Sequence, residues 1–374
     1  MPCETPRILV VFGTRPEIIK LAPVVAALRQ KPGIETVVCS TGQQRELAAQ
    51  TLAVFDLTAD FDLQLMRERQ DLHDIVAGAL CGTRDIIAQV RPSFVLVQGD
   101  TGSAVGAGLA AYYSRIPLGH VEAGLRTNDM FNPFPEEANR RLLDEVSSLL
   151  FAPTPRARDV LLREGVAAER VHLTGNTVVD ALMMARQGWE QRGAPATAAG
   201  LLASCPGKKL LLTCHRRENF GDGLAAIFDG VADIARRYPD LTVLFPVHPN
   251  PTVRDAAQAH LGGVANVRLL GQLPYPDFLY LLSHADLVIS DSGGVQEEAP
   301  SFGTPLMVVR RQTERMEGVE GGFATIARLE AEDISRHALE LLAQGRRPPT
   351  VTTPYGDGHA AQRIADLLTQ AVSG

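Results

Sequence analysis

Five cysteines among 374 residues, odd in number and with no CxxC pair, exclude a disulfide framework and a cysteine-type zinc site. They suit a reducing compartment. Aromatic residues make up only 5% of the chain, and the single tryptophan, Trp189, is expected in core or linker packing. No long Lys/Arg run offsets the formal charge of -7, which excludes nucleic-acid binding by general phosphate neutralisation. No uninterrupted apolar stretch reaches ~18 residues, and MPCETPRILVVFG has no cleavage-like sequence, so a cytoplasmic protein without a membrane partner is expected. The first apolar run is not followed by GxGxxG, and GxxxxGK[ST] is missing throughout, so neither a dinucleotide fingerprint nor a P-loop is present. Metal-ligand spacing is lacking too, with His248 isolated in PVHPN, and no metal or other cofactor is expected.

What the chain does contain is a recurring series of short apolar runs with helical patterns between them, at 7–12, 35–40, 94–98, 117–121, 209–213, 241–247, 266–270, 286–290 and 305–309. Continuous rather than alternating apolar residues imply strands buried on both faces, which is the pattern of parallel sheets in α/β layers. The length suits two cores. Between about 185 and 208 the pattern degrades into an Ala-, Gly- and Pro-rich stretch, which places a linker there and a domain switch between 170 and 185. The expected domains are 1–172 and 173–357, and the segment from 358 reads as an amphipathic helix that suits either one.

Ligands of open α/β sheets gather outside the carboxyl ends of the strands, so polar clusters at those ends are candidates. In GTRPEIIK, Arg15 and Lys20 set cations near a helix start, where the dipole prefers anions; an anionic ligand resolves the mismatch, and a solvated helix end is the bland alternative. In QGDT, Asp100 is either a helix cap or one half of a site. In GHVEAGLRTNDMFNPFPEEANRR, Glu122 follows a strand directly, and Glu136/Arg140 and Glu137/Arg141 stand at i,i+4 on a helix. These are either surface ion pairs worth roughly 0.3–0.5 kcal/mol each, or Glu136 joins Asp100 and Glu122 at one sheet edge. Three crowded carboxylates would raise one another's pKa, as acid/base chemistry requires. In CHRREN, His215 follows the first strand of the second series and is either a surface histidine or a site residue. In SDSGGVQEEAPSFGTP, Gly293 and Gly294 let the backbone approach a phosphate, Ser292 adds a donor, and Glu298 is an acceptor for ribose hydroxyls.

With VFGTRPEIIKLAPV, QGDT, GHVEAGLRT, FPEEANRR, GNTVVDAL, HRRENFG, FPVHPNP, DSGGVQEEAPSFGTP, TERMEG and PYGDG in order over nearly the whole chain, the sequence resembles the non-hydrolysing bacterial UDP-N-acetylglucosamine 2-epimerases. The resemblance implies two Rossmann-like domains of the glycosyltransferase-B type, a cleft between them, a last helix returning to the first domain, and a homodimer. It also implies that Arg15, Lys20, Ser292, Gly293, Gly294, Glu298, Arg315 and the main chain near Leu273 bind the nucleotide sugar. Phe278 matches the aromatic that stacks on uracil; Asp100, Glu122, Glu136 and His215 match the catalytic residues, with Arg140 beside them.

The implied reaction interconverts UDP-GlcNAc and UDP-ManNAc by anti elimination of UDP to 2-acetamidoglucal and re-addition, to supply cell-surface polysaccharide precursors. Departures from the family pattern are Met316 after TER, GGFAT at 321–325, and Gln44 in the loop that contributes to an effector site in some members. A same-fold UDP-sugar glycosyltransferase, a hydrolysing epimerase, a non-catalytic nucleotide-sugar sensor and a 2-epimerase of a UDP-2,3-diacetamido uronic acid are the rival readings.

Overall fold

The computed structural model describes residues 5–42, 45–66, 70–350 and 352–373, and Gln44 lies outside the described residues. Its contacts divide into two compact units, Met1–Ala185 with Tyr355–Gly374, and Arg186–Pro354.

The first unit runs β1 (Arg7–Phe12), α1 (Arg15–Arg29), β2 (Glu35–Ser40), α2 (Arg45–Val54), β3 (Phe61–Asp62), α3 (Leu72–Val90), β4 (Phe94–Gln98), α4 (Gly102–Tyr113), β5 (Leu118–Val121), α5 (Glu136–Val146), β6 (Leu149–Ala152), α6 (Pro155–Arg163), β7 (Val171–Leu173) and the start of α7 (Thr177–Arg192). Its seven strands order as β3-β2-β1-β4-β5-β6-β7, with every pair parallel. β1 and β4 read as unbroken apolar runs because both faces are covered: Leu9, Val11, Val95 and Val97 pack with Ala104, Ala107 and Leu143 on one face, and Ile8, Val10 and Leu96 on the other are also buried. Strands β3, β6 and β7 carry too few β-branched residues to stand out in sequence. Two- to four-residue segments such as Phe61–Asp62 and Leu149–Ala152 become strands because a neighbour offers its ladder.

The second unit continues through α8 (Ala196–Ala203), β8 (Lys208–Thr213), α9 (Asp222–Arg237), β9 (Leu241–Pro246), α10 (Pro251–Leu261), β10 (Val267–Leu270), α11 (Tyr275–His284), β11 (Leu287–Ser290), α12 (Gly293–Glu298), β12 (Leu306–Val308), α13 (Met316–Glu320), β13 (Ala324–Ile326) and α14 (Ala331–Gln344). Its six strands order as β10-β9-β8-β11-β12-β13, again all parallel. Leu210, Leu212, Phe228, Phe245 and Ile289 form its core.

The last helix, α15 (Ala360–Ser373), belongs to the first unit. Asp180 in α7 accepts the backbone N–H groups of Ala360 (3.3 Å) and Ala361 (2.9 Å), two donors that a helix start leaves unpaired. Asn176 donates its own N–H to the Tyr355 carbonyl, and Lys31, just past the end of α1, pairs with Asp366. These bonds keep residues 173–185 with the first unit, although the sequence pattern groups them with the second. Among the described residues no helix is long and apolar enough to cross a membrane.

Both sheets reverse direction of strand succession once, between β1 and β4 and between β8 and β11. At such a point neighbouring loops leave the sheet in opposite directions and open a crevice at the strand ends. Arg15 and Asp100 follow the two strands at the first switch point, and His215 and Ser292 follow those at the second.

Candidate active site

In the first unit, α1 opens with Thr14 as its cap and Pro16 in its first turn, placing Arg15 half-buried beside the end of β1. Lys20, one turn on, is only 8% exposed. Its ammonium donates to Glu122 Oε1 at 2.6 Å, while Gln98 donates to Glu122 Oε2. Near the helix start, the Lys20 cation thus faces a carboxylate of the protein itself.

Glu122 sits just past β5 with φ +71°, a left-handed conformation that is uncommon for a side chain other than glycine. Strain of this kind costs about 1–3 kcal/mol and persists where the surroundings over-determine it. Here the Glu122 N–H is held by the Phe151 carbonyl at 3.1 Å and the carboxylate by Lys20 and Gln98.

Asp100, just after β4, pairs with Arg140 Nη2 at 2.6 Å, and its carbonyl accepts from Asn139 Nδ2 at 2.8 Å. The crowding of carboxylates expected from sequence is thus relieved: Arg140 faces Asp100 and Lys20 faces Glu122. The supposed surface pairs also change character. Glu137 is fully buried, takes Arg141 Nε at 3.0 Å, and accepts the backbone N–H groups of Thr127 (2.9 Å) and Asn128 (3.3 Å), so it holds the loop ahead of α5. Arg140 leaves Glu136 for Asp100, and Glu136 Oε2 is sealed from water without a hydrogen-bond partner.

Behind these residues lie groups to which the sequence reading gave no role. Glu17 accepts from Gly13 N–H (3.1 Å), Thr14 N–H (2.7 Å), the Thr14 hydroxyl (2.7 Å) and the Thr101 hydroxyl (2.9 Å). Burial outweighs these donors and pushes its carboxyl up to about 7. Asp144 takes His120 Nδ1 at 2.7 Å and Arg126 Nη1 at 2.7 Å; burial opposes its ionisation, but these two partners hold its carboxyl below the usual range.

In the second unit, the turn after β8 is organised by Asp291, which is fully buried at the end of β11. Its carboxylate accepts the backbone N–H groups of His215 (3.0 Å) and Arg216 (2.9 Å) and the Asn219 amide (3.1 Å). The His215 ring stands 3.4 Å from the same carboxylate and stacks on His248, with centroids 5.7 Å apart. His248, isolated in the sequence, is a neighbour of His215 in space.

Ser292 caps α12, which is only six residues long, so its dipole is a smaller asset than the glycine turn. A Cβ at Gly293 would lie 3.0 Å from the Arg315 guanidinium carbon, tighter than ordinary contact. That guanidinium bonds Glu297 at 2.9 Å and pairs with Glu314. Glu298 accepts from the Tyr275 hydroxyl at 2.9 Å. Leu273 and Phe278, before and within the first turn of α11, are half-buried.

A cationic group gathers around Glu314, which pairs with Arg310 at 3.1 Å and with Arg315. Burial works against Glu314's charge, but the two arginines bring its carboxyl down to about 2. Arg216 is also in this field; burial and the nearby Arg310 depress its guanidinium, and its Nε is buried without a partner. Arg216 and Arg310 were legible only as arginines in HRREN and VVRRQ, with nothing local to mark their burial. Among the described residues no three His, Cys, Asp or Glu side chains group as metal ligands would.

Compared with known proteins, residues 26–369 match the family model described as UDP-N-acetylglucosamine 2-epimerase. The chain is 43% identical over 370 residues to the UDP-N-acetylglucosamine 2-epimerase of Escherichia coli strain K12, covering 97% of this chain and 98% of that relative. It superposes on the crystal structure of the Neisseria meningitidis UDP-GlcNAc 2-epimerase bound to UDP-GlcNAc with a TM-score of 0.91, at 39% identity over 97% of this chain and 100% of that one. The Methanocaldococcus jannaschii UDP-GlcNAc 2-epimerase, in complex with UDP-GlcNAc and UDP, gives 0.84 at 31% identity over 97% and 99%. Two parallel sheets with charged strand ends at their switch points, matched over this length, place the chain in the UDP-N-acetylglucosamine 2-epimerase family.

Proposed function

We propose that this enzyme, an isomerase, interconverts UDP-GlcNAc and UDP-ManNAc, acting in the cytoplasm as a homodimer to supply precursors of cell-surface polysaccharide. The observation that carries the chemical reading is Glu122: a buried carboxylate in a strained backbone conformation, fixed between Lys20 and Gln98. Asp100 on Arg140, and Glu136 with its unpartnered oxygen, add two more carboxyl groups at the ends of neighbouring strands and the head of α5.

C2 of the sugar has no carbonyl beside it, so direct removal of its proton leaves a poorly stabilised carbanion. Elimination avoids this. A carboxylate takes the C2 proton while the C1–O bond to UDP breaks, and the electron pair of the C2–H bond becomes the C1=C2 bond of 2-acetamidoglucal. Return of a proton to the opposite face of C2 then accompanies re-formation of the bond from the diphosphate oxygen to C1. Phe278 stacks against the base, Glu298 holds the ribose, and the Ser292–Gly294 turn, Arg315, His215 and Arg15 serve the diphosphate, where charge accumulates as the bond breaks.

Proton NMR of the purified enzyme with UDP-GlcNAc in deuterated water tests this reading. Conversion to UDP-ManNAc carrying deuterium at C2, with no added metal or nicotinamide, is the expected result. Stoichiometric release of UDP, or a requirement for an acceptor, would overturn it.

A further inference from the structure

His120 is wholly buried in β5, and both of its ring nitrogens are engaged. Nε2 lies 2.7 Å from the Gly99 carbonyl, and Nδ1 lies 2.7 Å from Asp144 Oδ1. A carbonyl only accepts, so Nε2 carries a hydrogen directed at Gly99. Asp144 receives the Gly124 N–H at 3.2 Å and Arg126 at 2.7 Å, which fix the carboxyl group against which Nδ1 rests. Arg126 continues outward to Glu164, with Nη2 to Oε2 at 2.7 Å. The result is a continuous run of donors and acceptors from the surface of α6 to the carbonyl of Gly99.

Gly99 is the residue before Asp100. It has φ +71°, which turns its carbonyl away from the β4 ladder and into reach of His120. Its N–H donates to the Val121 carbonyl at 3.0 Å, so β5 grips Gly99 at both its amide and its carbonyl. The next peptide is gripped from α5, where Asn139 Nδ2 donates to the Asp100 carbonyl. A buried charged network is weak as a source of stability, because apolar side chains fill such space at lower desolvation cost. Its use is to hold one geometry.

We propose that His120, oriented by Asp144, is a positioning residue for Asp100: it locks the Gly99 carbonyl and so sets the direction from which the Asp100 carboxylate faces substrate. This rests on the reading that Asp100 takes part in the reaction. Being fully buried, His120 does not meet substrate and acts only through the peptide it holds.

The experiment is a double-mutant cycle on turnover of UDP-GlcNAc, with UDP affinity by calorimetry as the control. His120→Gln is expected to lower kcat about 100-fold, the scale of a misplaced catalytic group, with UDP affinity unchanged. In an Asp100→Asn background the same change is expected to cost less than about threefold, since the group it positions is already gone. Asp144→Asn should repeat both results, and it carries the test alone if His120→Gln does not fold. Equal losses in the two backgrounds, or near-normal kcat in both folded variants, would overturn the proposal while leaving the role of Asp100 intact. Normal turnover by Asp100→Asn itself would remove the reading on which the proposal rests, a result visible without any change at His120.

Discussion

Glu136→Gln separates a surface ion pair from a working carboxylate, and the structure sharpens what each would cost. An exposed i,i+4 pair contributes roughly 0.3–0.5 kcal/mol, and here even that is missing, because Arg140 is committed to Asp100 at 2.6 Å. Glu136 Oε2 is instead buried with no partner, a state that costs about 1–3 kcal/mol for a polar atom removed from water. Removing the charge by an isosteric amide should therefore leave stability unchanged or raise it by up to ~1 kcal/mol, a shift in Tm of no more than about 2–4 °C for domains of this size. Turnover should fall at least ~100-fold, the usual scale for a lost acid or base and equivalent to about 2.7 kcal/mol of barrier. The assay is conversion in deuterated water followed by NMR, beside UDP affinity by calorimetry and a melting curve. A folded Glu136→Gln enzyme with near-normal turnover would refute the reasoning and leave the unpartnered oxygen without a chemical role.

Two further predictions concern stability and nucleotide binding. Glu17 rises from 4.5 to about 7 on folding, chiefly through burial, so from pH 4.5 to 7 the unfolded chain loses its proton before the folded one. Stability is then full below pH 4.5 and falls by about 3 kcal/mol as pH rises through 7; Glu17→Gln should flatten that stretch in urea unfolding, and an unchanged slope would show that the proton is not held there. Phe278→Ala should weaken UDP binding by roughly 1–3 kcal/mol, the scale of base–aromatic stacking; unchanged affinity by calorimetry would place the uracil elsewhere.

Much of this protein is legible in local sequence because its causes are local. RILVVF at 7–12 and FVLVQ at 94–98 are apolar without alternation, and only a strand covered on both faces accounts for that, so the α/β class follows from pattern alone. The ends of such strands are marked by glycine and charge, and Asp100, Glu122, His215 and Ser292 stand out as candidates when one loop is read at a time. Short strands such as Val171–Leu173 escaped because their identity depends on a neighbour's free edge.

Partners were beyond the reach of such a reading. Lys20 meets Glu122 across 102 positions, and Asp291 organises the His215 turn across 76. Nothing near Lys20 in the chain announces Glu122; the sheet order, which sets β1 beside β4 and β4 beside β5, brings them together. The same holds for burial. Glu137 and Arg141 look like a solvated pair at helical spacing, yet Glu137 is fully buried because the loop ahead of α5 folds back and spends its N–H groups on that carboxylate. Residue types and their places at strand ends are properties of short segments. Which charge neutralises which, and which is left unpaired, is decided by contacts that exist only once the sheet has closed.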